Sequence, residues 1–252
     1  MSRGASRLIA RSHGLAADEA LAPSRADGCG EVVGVFSSGC YAKFGNDVLA
    51  VGAIPSGPIH VVIDNPNRDL VVGAHVMVDL SMSVTWSPTM PNGQELGALQ
   101  AAGAAIDIDD LIGDDLESIW DDVRVGCSEA RTSDVTRCLV GRGVGLTPTG
   151  DDVLAGLMLV DAWRHWSPND VAQRVDLVEQ MRTTRLSQSF LRWAAAGQSI
   201  APVHELFDAS SSSRQTFAEA TTSLCTIGGS SGKALLAGLL MGLDSNIRFS
   251  LR

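Results

Sequence analysis

Between residues 30 and 86 the apolar positions fall in short, β-branched runs at 32–36, 47–52, 60–64, 69–80 and 83–86. Turn-forming residues separate them at 37–39, 55–58, 65–67 and 87–91. Strand-sized runs with no helical period between them predict an antiparallel sheet or a small barrel. Pro88, Pro91 and Gly93 then punctuate the chain, which places a boundary at 92/93. Beyond it the period lengthens. Ile108, Leu111, Ile112, Leu116, Ile119, Trp120 and Val123 share one helical stripe, opposite Asp109, Asp110, Asp114, Asp115, Glu117, Asp121 and Asp122. Seven carboxylates could hold a metal, but a solvated face is the commoner use of such a run. Further helices are expected near 151–165, 169–182, 185–197, 213–226 and 232–243. The pattern is α+β: a β-rich part over residues 30–92, then a mainly α-helical part over 93–252. Residues 1–29 read as an N-terminal arm or short helix.

Charge narrows the partners. The 252 residues carry 29 acidic against 19 basic side chains, a formal charge of −10. Such a chain repels nucleic acid and anionic membrane at long range, so an anionic substrate needs a local cluster of donors. Five cysteines, at 29, 40, 127, 138 and 225, form no CxxC pair. An odd, dispersed set points to reduced thiols and a cytoplasmic location. No run approaches the ~20 apolar residues of a membrane helix. The basic start lacks the apolar core of a secretory signal, and its Ser/Arg/Ala bias resembles a transit peptide only superficially.

The most unusual stretch is residues 141–152, GRGVGLTPTGDD. Three alternating glycines, two threonines around Pro148, a fourth glycine and two aspartates stand directly before a helix. Glycine lets a ligand approach the backbone, and a helix start presents free N–H groups and positive dipole character. Phosphate and carboxylate are held in this way. A simple helix cap would explain Thr149 or Asp151 alone, but not Thr147, Thr149, Asp151 and Asp152 together. A dinucleotide fingerprint fails, because Leu146 stands where the third glycine belongs.

Residues 231–240, SGKALLAGLL, repeat residues 149–158, TGDDVLAGLM, with Gly232 matching Gly150 and Gly238 matching Gly156. A glycine inside a helix costs ~1 kcal/mol against alanine, and close helix packing would offset it. The two helices are therefore expected to touch at Gly156 and Gly238, with both starts on one cleft. The segment GGSSGK at 228–233 is not a Walker A loop: Ile227 replaces its first glycine and Ala234 its Ser/Thr. Lys233 at a helix start opposes the dipole, which a bound anion would relieve.

The motif GxGxGLTPTGDDxLxG, the segment TTRLS at 183–187 leading to Ala-Ala-Gly, and IGGSSGKALLAGLLMGL at 227–243 resemble the DUF2877 family in order and spacing. The segments VFSSGCYAKF and SVTWSP are similar to that family's front half. The resemblance covers roughly residues 30–243. It implies an AllH-like subunit of the oxamate carbamoyltransferase that ends anaerobic allantoin breakdown, working with FdrA-like (AllF) and AllG-like subunits. The implied reaction exchanges a carbamoyl group between oxalurate plus phosphate and oxamate plus carbamoyl phosphate.

Carbamoyl transfer needs oxyanion donors, a grip on phosphate or carboxylate, and activation of a poor amide nucleophile. Arg142, Gly143, Gly145, Thr147, Thr149, Gly150, Ser231, Gly232 and Lys233 are the candidate anion-binding residues. Asp151 and Asp152 are the candidate catalytic pair, to orient an amide or accept its proton. Thr184 and Ser187 are weaker candidates. No HxH or HExxH pattern is present and no protein metal site is expected, while the paired aspartates leave room for Mg²⁺. Two alternatives stay open: a non-catalytic, anion-holding scaffold subunit, and a stand-alone enzyme acting on another small amide.

Overall fold

The computed structural model describes residues 5–22, 29–64 and 70–249. The turn expected at 65–67 and parts of the expected arm (1–4 and 23–28) lie outside them. The chain divides into two compact units, Met1–Pro88 and Thr89–Arg252.

In the first unit, strands β1 (Ser6–Ile9), β2 (Ser12–Gly14), β3 (Cys29–Phe36), β4 (Gly39–Phe44), β5 (Asp47–Gly52), β6 (His60–Val62), β7 (His75–Asp79) and β8 (Val84–Trp86) form one curled sheet. A six-residue helix, α1 (Leu15–Ala20), follows β2. The strand order is β1-β7-β3-β4-β5-β6-β2-β8. Hairpins β3–β4 and β4–β5 supply the antiparallel centre. β1 beside β7, β5 beside β6 and β2 beside β8 run parallel. Residues before position 30 thus supply two strands, inserted beside partners distant in sequence, and a local apolar run carries no trace of such pairing. β4 also escapes a search for β-branched runs, although its alternation is clear: Cys40, Ala42 and Phe44 are buried and Lys43 is exposed. Buried His13 ties β2 to its surroundings, with Nε2 2.8 Å from Asp18 Oδ1 and Nδ1 2.7 Å from Ser83 Oγ.

The second unit is helical, and no strand follows Trp86 among the described residues. It opens at α2 (Gly93–Gly103), where Asn92 and Glu95 close a capping box. The acidic stripe is not one helix. Breaks at Gly113 and at Ser118–Ile119 divide it into a 3₁₀ turn at Asp109–Leu111, the short α3 (Asp114–Glu117) and α4 (Trp120–Ser128). Its carboxylates are solvent-exposed. Asp109 nevertheless accepts from Trp120 Nε1 at 2.9 Å and pairs with Arg124 at 2.7 Å.

The chain continues through α5 (Thr132–Leu139), α6 (Thr149–Arg164), α7 (Pro168–Glu179), α8 (Arg185–Ala195), α9 (Ala201–Ser210), α10 (Arg214–Cys225) and α11 (Ser231–Asp244). α6 is the axis of the unit: 14 of its 16 residues are buried, as expected of a helix apolar on every side. α11 lies along it, backbone against backbone. A Cβ on Gly156 would lie 2.5 Å from the Leu239 nitrogen, and one on Gly238 would lie on the Val153 carbonyl oxygen. Glycine is required on both helices, as their shared motif predicts. At the far end, Arg164 donates to the carbonyls of Gly242, Leu243 and Ser245. α6 and α11 therefore run parallel, start beside start and end beside end. α8 does the same on another side of α6: Thr183 meets Asp151 near their starts, and Trp163 Nε1 donates to the Gly197 carbonyl at 2.8 Å near their ends.

Candidate functional site

Parallel packing brings the N-terminal ends of α6, α8 and α11 to one place, under the loop 141–148. Three glycines shape that loop, with φ of +67° at Gly141, +111° at Gly143 and +92° at Gly145. At Gly143 the demand is also steric, because a Cβ there would stand 2.7 Å from the Thr149 nitrogen. Several hydroxyl bonds also fasten the loop. Thr147 Oγ1 and Ser231 Oγ share one at 3.0 Å, Thr149 Oγ1 and Ser230 Oγ one at 3.4 Å, and Thr184 Oγ1 donates to the Leu146 carbonyl at 2.5 Å. Gly150 and Gly232 act alike. A Cβ on either would strike the carbonyl of the preceding helix's last turn, at Leu139 and Leu224 respectively.

The structure separates the two aspartates. Asp151 is 2% exposed, and both its oxygens are engaged: Oδ1 accepts from the Gly141 N–H at 2.8 Å and Oδ2 from the Thr183 hydroxyl. It clamps the loop to α6 and α8. Asp152, one residue on, turns toward α11. Its Oδ2 is buried with no hydrogen-bond partner among the described residues. Burial pushes this carboxyl from 3.8 up to about 8; a hydrogen bond from Ser231 opposes the shift and the Asp151 charge adds to it. Asp152 is thus a carboxyl poised to hold or release a proton near neutrality.

The other expected residues divide. Thr147, Thr149, Ser231 and the glycines converge at the α6 and α11 starts. Arg142 is exposed above the first turn of α6, with its carbonyl accepting from Gly150 N–H at 2.8 Å and, among the described residues, no ion pair on its guanidinium. Of the backbone donors expected over residues 145–150, Gly150 N–H is already used on the Arg142 carbonyl, while those of Gly145, Leu146, Thr147 and Thr149 form no hydrogen bond among the described residues. Those loop N–H groups and the Arg142 side chain remain for an anion. Lys233 is not part of the group. It is exposed on α11 near Cys225, whose thiol burial raises and the lysine charge draws down. Thr149 also donates to Asp115 Oδ2 at 3.1 Å. That residue was hidden within the acidic run, where nothing distinguished it from its neighbours. Thr183 and Ser230 were equally illegible, because each acts through a contact from another helix. No three His, Cys, Asp or Glu side chains are grouped to hold a metal ion among the described residues.

Residues 139–243 match the family model of the oxamate carbamoyltransferase subunit AllH. The matched span begins at Leu139, under Gly150, and ends in the last turn of α11. It contains the AllH-like loop, all three converging helix starts and both aspartates, and leaves Asp115 and the sheet outside. No solved structure matches the chain. No helix among the described residues is long and apolar enough to cross a membrane.

Proposed function

We propose that the chain is the AllH-type subunit of a carbamoyltransferase assembly, and that the helix starts under the loop 141–148 hold its anionic substrates. The observation that carries this is the meeting of the α6 and α11 starts at Thr147–Ser231 and Thr149–Ser230 beside a carboxyl with a near-neutral pKa. Parallel helices stack like ends of their dipoles, an arrangement an anion relieves.

The chemistry balances without an outside proton. Phosphate oxygen attacks the ureido carbonyl of an oxalurate-like substrate, the C–N bond breaks, and the departing amide nitrogen takes a proton. Asp152 supplies that proton, and the proton shed by the attacking hydrogen phosphate restores it. In the opposite direction Asp152 accepts the proton of the attacking amide. Loop N–H groups at 145–147 and hydroxyls of Thr147 and Ser231, with Arg142, hold the anion, and Asp151 positions the loop through Gly141 and Thr183. FdrA-like and AllG-like subunits complete the assembly.

The test is reconstitution. Purified together, the three subunits should form carbamoyl phosphate from oxalurate and phosphate, and omission of this chain should abolish the product. Unchanged turnover without it would overturn the reading, as would failure of the chain to join its partners.

A further inference from the structure

The third converging helix has no task in the mechanism above, yet it carries an unexplained group. Ser187, in the first turn of α8, is 1% exposed and its Oγ has no hydrogen-bond partner among the described residues. A buried hydroxyl left unpaired destabilises the fold, so an alanine would serve it better here. The cap does not use it: Thr184 Oγ1 accepts from the Ser187 N–H at 3.0 Å, and the Ser187 side chain is left over. Helical side chains lean toward the N-terminus, so this hydroxyl leans toward the α8 start, where Thr183 meets Asp151. Arg182 and Arg185 flank that start. Both are exposed, and among the described residues neither forms an ion pair. Asp151, which meets that start through Thr183, has both oxygens taken by Gly141 and Thr183.

We infer that the α8 start is a second anion subsite, built for a small carboxylate, with Ser187 Oγ and the Arg185 guanidinium as its donors. This rests on the function proposed above and divides its site in two. A planar guanidinium fork matches a planar carboxylate. The α6–α11 side offers a crowd of hydroxyls to a tetrahedral phosphate. The two subsites flank the first turn of α6, so a substrate carboxylate on one side and phosphate on the other place the bond that is broken over that turn. Ser187 and Arg185 are binding residues that set which acid is accepted.

The experiment is calorimetric titration of the full-length chain with oxamate and, separately, with inorganic phosphate. Ser187→Ala should weaken oxamate about tenfold, the value of one hydrogen bond to a charged group. Phosphate affinity should stay unchanged and the melting temperature should hold or rise. Arg185→Gln, on the surface, should weaken oxamate in the same selective way. Unchanged oxamate affinity in both variants overturns the subsite and leaves the proposed function standing if phosphate still binds. Equal loss of both ligands with a lower melting temperature also overturns it, since Ser187 would then be structural. A wild-type chain that binds neither ligand overturns both readings.

Discussion

Asp152 carries the sharpest residue-scale consequences. A carboxyl whose folded pKa of about 8 lies above its ordinary 3.8 binds more protons folded than unfolded. Its contribution to stability is present below pH 4 and is lost as the pH rises toward 8. At about 1.4 kcal/mol per pKa unit, discounted for partial solvation, neutralising it should be felt clearly above pH 7. Asp152→Asn should therefore raise the melting temperature, more at pH 9 than at pH 5, and a pH-independent change would contradict the burial argument. Asp151 behaves oppositely. Asp151→Ala leaves the Gly141 N–H and the Thr183 hydroxyl without their acceptor, at a cost of about 1–3 kcal/mol. Chemical denaturation should show that loss, and amide exchange should quicken in loop 141–148. An unchanged denaturation midpoint would show that Asp151 clamps nothing.

Among the elements, the parallel contact of α6 and α11 is the least tolerant. Gly238→Ala places a Cβ on the Val153 carbonyl oxygen, and neither backbone can yield without parting the helices. A loss of ~3 kcal/mol or more is expected. Gly97, exposed in α2 with open space around it, gives the contrast: alanine there should stabilise by ~0.5–1 kcal/mol. Equal effects at the two sites, read from urea midpoints, would refute the close approach. This contact was legible in the sequence because two internal copies of one motif each keep a glycine that a lone helix would not. The break of the acidic stripe at Gly113 was not, since a 3.6-residue period runs on through a kinked path. The helices at α2, α5 and α9 were also missed. The Asn92–Glu95 capping box at the head of α2 is readable, but it straddles the expected boundary, which Pro88, Pro91 and Gly93 mark as a break. At the site, the loop and the aspartates stand out in the sequence, but only the packing of α6 between α8 and α11 tells Asp151, with both oxygens bonded, from Asp152, with one oxygen left over among the described residues.

At the scale of the molecule, an α+β chain joins a curled sheet to a helical unit whose AllH-like span holds every group assigned to the chemistry. The sheet unit carries none of them. The apolar and polar pattern foretold its strand content and not its pairing, because β1 and β2 find partners some fifty to seventy residues away. The central claim is that this subunit moves a proton during carbamoyl transfer rather than only holding an anion for its partners. The most direct test is carbamoyl phosphate formation by the reconstituted assembly carrying Asp152→Asn, with complex integrity and melting temperature measured on the same sample. The variant should assemble, melt no lower than wild type, and turn over ~10²–10⁴ times more slowly, the usual loss for a missing general acid or base. An intact assembly that turns over at the wild-type rate would contradict the account and leave the chain as an anion-holding scaffold.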